Sequence, residues 1–431
     1  MKRGKKIGFW YSTSVVVGNM MGAGIFLLPV SLASYGGIGI LGWICASAGA
    51  ILLSFLFGAL SKEAPDTIGG PYVFSRIGLG DFAGFLVAWG YWIAIWATNA
   101  AIAVALVGYL EVFIPALSHP LAAIGTGLGF IWAFTWINSR PLRTVVQVQL
   151  ITTILKVIPI FLLGVVGIFF IDWDYFLPFN LSEESTLSAI TSTTTLTLFA
   201  YLGMESAGII SAETEDAART VNKSTVVGTS IAVVIYLTSA IAVAGLVSPD
   251  ELIHSSAPFA DAAYAFLGDT AKYVVAGCAV IATMGALNGW ILLQGRIPQA
   301  AAQDNLFPAL FGQVNKSSSP IIGIIISSIL ASLLMMINYS KSLAETFTFM
   351  ITLSTLSCLI PYLFSSASYI IIQFNKGHTA INRMMWVAIL SFCFCIWVTI
   401  GCGQEIVFYG FLLLLAGMPF YLWLKRKSVD R

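Results

Sequence analysis

The chain has 431 residues, 58% hydrophobic and 10% charged, with a mean hydropathy of +0.89. Soluble domains carry roughly a quarter charged residues, so this composition excludes a soluble globular protein and leaves an all-α polytopic membrane protein. The net charge of +1 says nothing about partners, and the lysines and arginines read as orientation signals rather than as a nucleic-acid surface.

Apolar runs long enough to cross ~30 Å of hydrocarbon place twelve spans at 7–33, 38–60, 82–113, 120–138, 146–171, 187–211, 221–247, 269–300, 320–338, 345–373, 383–402 and 404–424. The first follows Lys2-Arg3-Gly4-Lys5-Lys6, a start that mimics a secretory signal. Its apolar stretch outruns signal-peptide length and eleven spans follow, so it is expected to be an uncleaved helix. Its middle is broken by Asn19-Met20-Met21-Gly22-Ala23-Gly24-Ile25-Phe26. Glycine costs ~1 kcal/mol relative to alanine in a helix interior. Freed backbone groups survive in a membrane only where they line a cavity or are buried in protein. Discontinuous helices of this kind build the substrate sites of secondary transporters.

Asn99 lies in the middle of the third span, where it either links helices or meets a solute. Lys156 lies in the fifth span, roughly 15 Å from its start at 1.5 Å per residue and thus too deep to snorkel. An ionisable side chain there costs ~2.5–3.5 kcal/mol on insertion scales and is functional by default. A second break, Gly203-Met204-Glu205-Ser206-Ala207-Gly208, falls in the sixth span. Glu205 beside it is either a protonation site or a hydrogen-bonding brace. Trp290 in the eighth span is either ordinary core or an aromatic face for a cationic or aliphatic side chain, and a cation–π contact contributes ~0.5–2 kcal/mol.

If odd-numbered spans run outward, only Lys272 and Lys341 lie outside and Lys156 lies in the hydrocarbon. The other eighteen basic residues, Lys425, Arg426 and Lys427 among them, then face the cytoplasm, as do both termini. Outer loops carry Asp172, Asp174, Glu183, Glu184, Asp250 and Glu251. The cysteines (Cys45, Cys278, Cys358, Cys393, Cys395, Cys402) fall in apolar spans without C-x-x-C spacing, and read as packing. His119, His254 and His378 lie singly in loops, so neither a metal site nor a cofactor is expected. There is no Walker motif and no H-E-x-x-H, G-x-S-x-G or paired intramembrane aspartate cluster. A membrane enzyme or an ATP-driven pump is therefore disfavoured. A secondary carrier leads, with a substrate-sensing protein on a carrier fold as the alternative.

Spans one to five and six to ten are similar in total length, each set opens with a glycine-broken span, and each has an unusually long third member. Five is odd, so two such repeats would lie inverted. One membrane domain over 1–431 is expected, with a first repeat at 7–171, a second at 187–373 and two further helices at 383–424.

Several motifs stand at compatible spacing. They are Gly22-Ala23-Gly24-Ile25-Phe26-Leu27-Leu28-Pro29, Gly69-Gly70-Pro71-Tyr72, Tyr91-Trp92-Ile93-Ala94 with Asn99, and Gly203-Met204-Glu205-Ser206-Ala207. Gly289-Trp290, Ala300-Ala301-Ala302 through Pro308, and Pro361-Tyr362 complete the set. With these the chain resembles the amino acid–polyamine–organocation superfamily, and within it the basic amino acid/polyamine antiporter group of arginine/agmatine type. The resemblance implies a leucine-transporter-like core of ten helices in two inverted repeats with helices 1 and 6 broken, two further helices, often a homodimer, and a bacterial inner-membrane location. It implies sodium-independent transport of an amino acid or amine by alternating access, through exchange or proton coupling. It places Met20, Ala23, Gly24, Ala94, Asn99, Ile102, Phe199, Leu202, Glu205, Trp290 and Ser354 at the substrate, Tyr91 and Tyr362 at gates, and Glu205 and Lys156 at coupling positions. Backbone N–H groups at Ala23-Gly24 would take a carboxylate, and carbonyls near Leu202-Gly203 the amino group.

The chain departs from that group's pattern in five places. Ala23 stands for a serine, Phe199 for a tryptophan, Ile102 for a methionine and Ala217 for a proline. Lys156 stands for a small neutral residue, whereas other branches carry a lysine where sodium sits in sodium-coupled relatives. Its ammonium is expected to bridge carbonyls freed near Gly22 to span eight.

Overall fold

The computed structural model describes residues 6–65, 67, 69–337, 343–378 and 380–429. Lys2, Arg3, Lys5 and Lys341, used above for orientation, lie outside the described residues, as does the Lys427 side chain.

The fold is a bundle of α-helices. They are α1 (Phe9–Met20), α2 (Ala23–Ala33), α3 (Gly39–Glu63), α4 (Pro71–Leu79), α5 (Asp81–Glu111), α6 (Pro120–Asn138), α7 (Leu142–Gly167), α8 (Thr186–Leu198) and α9 (Ser206–Ile209). Then follow α10 (Ala217–Leu246), α11 (Pro249–Leu252), α12 (Pro258–Leu267), α13 (Asp269–Gln303), α14 (Ile321–Ile337), α15 (Leu343–Asn375), α16 (Arg383–Gly401), α17 (Gln404–Leu415) and α18 (Met418–Val429). Among the described residues, ten helical stretches are long and apolar enough to cross a membrane, α1 and α2 counting as one and α14 being a shorter apolar helix. The expected sixth span is outside that set. It runs as α8, a 3-10 turn at Phe199–Tyr201 and the single-turn α9, because its break removes too many helical residues.

Burial sorts the helices. α1, α2 and α5 are enclosed almost throughout, whereas α6, α7, α16, α17 and α18 present large apolar side chains outward, such as Trp136, Phe161, Trp386, Phe411 and Leu422. Apolar side chains on the outer wall of a membrane bundle face lipid at no cost, since lipid tails are as apolar as leucine. Helix α5 packs against α13 and α15, α1 against α7, α10 and α13, and α3 against α8 and α10.

Both breaks have a local cause. At the first, the Gly22 N–H turns to Met20 O at 2.8 Å rather than closing an α-helical bond to Gly18 O, so the Gly18 carbonyl loses its partner. At the second, Gly203 adopts φ +99°, a region that L side chains rarely enter. The two breaks touch. A Cβ on Gly24 would come within 2.8 Å of Ala200 Cα, and one on Gly203 within 2.9 Å of Asn19 Cβ.

Candidate functional site

The site is built where the two breaks meet the centre of α5, α13 and α15. Trp290, buried in α13, donates its indole N–H to Asn19 O at 2.9 Å. A Cβ on Gly203 would sit 3.3 Å from the same ring, so one tryptophan is wedged between both broken spans. The N-terminus of α2 at Ala23 has no side-chain cap, which leaves its first N–H groups for an anion. Gly203 O, by contrast, already accepts from the Ser206 N–H at 3.0 Å and from the Ser206 hydroxyl. This corrects the expectation that the Gly203 carbonyl is free for a substrate amino group.

The predicted pocket residues Met20, Ala23, Ala94, Asn99, Ile102, Phe199, Leu202, Glu205, Trp290 and Ser354 are all buried, as is Gly24. Ser354 donates to Ala94 O at 3.0 Å and pairs with Thr98, so its hydroxyl is engaged within the protein. Phe199 meets Phe347 edge to face at 6.1 Å, a partner that sequence reasoning missed. Met20 and Ile102 contribute apolar surface.

Glu205 is held by two phenols. Tyr91 donates to Oε1, and Tyr362 donates to Oε2 at 2.7 Å. All three residues are essentially inaccessible, and the Phe57 ring packs on Tyr362 at 5.1 Å. The two predicted gating residues and the predicted carboxylate therefore form one clamp tying α5 and α15 to the break before α9. Tyr91 and Tyr362 are far apart in sequence, and only the packing brings them to one carboxyl group.

Lys156 is completely buried in α7 and donates to Gly18 O at 2.7 Å and Met21 O at 2.6 Å. Both carbonyls belong to the first broken span, so the ammonium caps the end of α1 from behind. The expected bridge to span eight is replaced by a staple within span one, because Gly18 O and Met21 O face α7.

Sequence reasoning missed a line of carboxamides. Asn19 donates to Ser206 Oγ at 2.9 Å, Gln149 to Asn19 Oδ1 at 3.3 Å, Asn288 to Gln149 Oε1 at 3.4 Å and Asn138 to Asn288 Oδ1 at 3.2 Å. The chain crosses from α9 through α1, α7 and α13 to α6. It needs small neighbours: a Cβ on Gly289 would overlap Asn19 Oδ1, and one on Gly18 would overlap Gln149 Nε2. Amides spaced through otherwise apolar spans were the available signal, since polar groups in a membrane seek partners across helices.

One end of the bundle is tied shut. Ile7 exchanges backbone bonds with Glu213 O at 2.8 Å and Glu215 N at 2.9 Å, while Thr67 O and Gly69 N hold Ala212 and Ile209. Arg296 pairs with Glu213 at 3.2 Å, and Arg76 with Asp304 at 2.6 Å. Tyr72 donates to Asp304 at 2.7 Å, and burial together with that carboxylate pushes its phenol well up, so it stays a donor. Partly exposed pairs such as Arg76–Asp304 contribute only ~0–1 kcal/mol each, so backbone and packing contacts hold most of this closure. Ala217, where a proline was expected, is the first residue of α10, a position that accepts either.

The sequence matches the family model described as amino acid permease over residues 7–412. This chain belongs to the amino acid permease family. The permease is 33% identical over 410 residues to a putative arginine/ornithine antiporter of Bacillus subtilis (strain 168), covering 88% of this chain and 87% of the relative. It is 30% identical over 427 residues to a cadaverine/lysine antiporter of Escherichia coli (strain K12), covering 98% and 95%. It is 29% identical over 431 residues to a putrescine transporter of the same organism, covering 97% and 96%. The permease is thus a multi-pass membrane protein of the basic amino acid/polyamine group and a secondary carrier of amino acids or amines, not an enzyme.

Proposed function

We propose that this permease moves a cationic amino acid, its decarboxylation product, or both in exchange, by alternating access and without sodium. The observation that carries this is the meeting of the two breaks at Trp290, between an uncapped helix N-terminus for a carboxylate and an aromatic face for a cation. The names of the three relatives, which speak of arginine, ornithine, lysine, cadaverine and putrescine, support the same substrate class. Sodium independence rests on Lys156, whose ammonium takes two carbonyls of the broken span as a bound cation would.

The twelve-span topology belongs to this proposal, with 7–171 and 187–373 as inverted repeats and 383–424 as two added helices in one domain. Breaks in the first member of each set support it, since interruptions at corresponding places mark transporter sites. The charge asymmetry assigns both termini to the cytoplasm, the family relationship supports a bacterial inner membrane, and the bound end described above then closes the inward path. A homodimer is part of the same family-based reading. Thermal-shift screening of purified protein against all amino acids and their decarboxylation products, followed by liposome counterflow, tests the substrate class. Binding and flux restricted to neutral amino acids would overturn it.

Two substitutions probe the site. In Trp290→Leu most apolar volume remains but the π face is lost. Affinity for a cationic substrate is expected to fall about 2- to 30-fold, the equivalent of ~0.5–2 kcal/mol. Titration calorimetry reads this, and an equal loss for a neutral substrate of similar size would argue against cation–π recognition. Glu205→Gln places an amide N–H₂ against one of the two phenol donors, which weakens the clamp and removes the group that can gain a proton. Exchange is expected to persist at a reduced rate with a flattened pH profile. If the profile overlays that of the parent, Glu205 is a brace alone.

A further inference from the structure

A second buried amide system sits one helical turn beyond Trp290 and has a defined polarity. Thr135 in α6 donates to Ile131 O at 2.8 Å. Its hydroxyl hydrogen is thereby committed, so in the 2.6 Å Thr135–Ser328 contact Ser328 is the donor. The Ser328 oxygen then accepts from Gln294 Nε2 at 2.8 Å, and the same Nε2 donates to Ile324 O at 3.1 Å. A backbone carbonyl can only accept, so two carbonyls, at Ile131 and Ile324, set the amide of Gln294 from both directions. Its oxygen must face α5, where it accepts from Asn99 Nδ2 at 2.7 Å. Asn99 is therefore locked with nitrogen toward Gln294 and oxygen away from it. That oxygen is buried and has no donor, an unfavourable state for a polar atom.

The geometry points to Gln294 as a positioning residue for selectivity: it turns the Asn99 amide so that the pocket offers a substrate an acceptor, never a donor. A ligand ending in a primary ammonium satisfies the idle oxygen, whereas an equally long ligand ending in a methyl group leaves it unpaired. This rests on the proposed placement of Asn99 at the substrate. It goes further in naming the group that sets the polarity of that contact, and Gln294 itself touches no substrate.

The test uses the full-length protein and two matched ligand pairs, lysine against 2-aminoheptanoic acid and cadaverine against hexylamine, with dissociation constants from calorimetry. In the parent the ammonium-ended member is expected to bind at least about tenfold more tightly, since a site built around a substrate N–H rejects the analogue lacking it. In Gln294→Leu the Asn99 amide is free to turn, and the preference is expected to fall to within about threefold. The fall should come from weaker binding of the ammonium-ended member alone. A structural role for Gln294 would weaken both members of a pair in parallel, and that result overturns the proposal. Asn99→Leu removes the acceptor directly and should collapse the preference in the same way, which keeps the test decisive if Gln294→Leu does not fold. Should Gly24→Val abolish binding while Gln294→Leu leaves the preference intact, the site stands and this inference fails. If Gly24→Val binds both pairs as the parent does, the placement of the site itself is wrong.

Discussion

Lys156→Met is expected to reduce liposome exchange by more than about 100-fold while the protein remains inserted and monodisperse. Methionine fills most of the lysine volume, so the loss isolates the ammonium. Without it Gly18 O and Met21 O, now held at 2.7 and 2.6 Å, become buried acceptors without donors, each costing ~1–3 kcal/mol. The end of α1 should then re-form a bond to Gly22 or admit water, and either change moves the backbone that carries Trp290's acceptor at Asn19. A loss of ~2.7 kcal/mol at the transition state corresponds to the stated factor. The companion measurement is flux of the unmodified protein with sodium replaced by choline, expected to be unchanged. Normal exchange in Lys156→Met, or flux of the parent that rises with sodium, would each remove the lysine from its role.

Gly24→Val is expected to cut uptake sharply by a different route. A Cβ there meets Ala200 Cα at 2.8 Å, Ala200 Cβ at 3.0 Å and Ala200 N at 3.2 Å. These belong to a backbone segment that cannot swing aside like the tip of a flexible side chain. The added γ-methyl groups of valine force α2 away from the 3-10 turn at Phe199–Tyr201, opening the contact between the two breaks. Overpacking of this kind costs ~1–3 kcal/mol, and here it acts on the geometry of the site, so uptake should fall about 10- to 100-fold at matched membrane insertion. Gly129→Val on α6 serves as the control, because a Cβ there meets nothing within 4 Å. Transport by Gly24→Val at the parent rate would refute the placement of the site between the breaks.

The contrast between these two positions follows from how membrane spans are stabilised. Backbone groups inside the bilayer must find partners within the protein, and a broken span has several to place. Here Lys156 takes two carbonyls at the first break, Trp290 takes a third, and Ser206 satisfies Gly203 O at the second. Each partner comes from another helix or from the next turn. The breaks are thus held rigid by side chains whose removal has a large effect, although few of them reach the substrate position.

Much of this was legible in the chain itself because it depends on local rules. Length and apolarity mark the spans, glycine marks the interruptions at Gly22 and Gly203, and the penalty for burying charge singles out Lys156 and Glu205 without reference to any neighbour. What Lys156 and Glu205 hold was decided only by the tertiary structure. The Tyr91–Glu205–Tyr362 clamp, the carboxamide line from Asn19 to Asn138 and the Gln294–Asn99 pair each join residues from separate helices. Hydropathy assigns a residue to a span but not to a face or a depth against its neighbours, and a polar side chain in hydrocarbon takes whichever partner the packing delivers. The expected link from Lys156 to span eight failed for that reason, because the helix rotation that aims its ammonium at Gly18 and Met21 is set by how α7 packs against α1, α10 and α13.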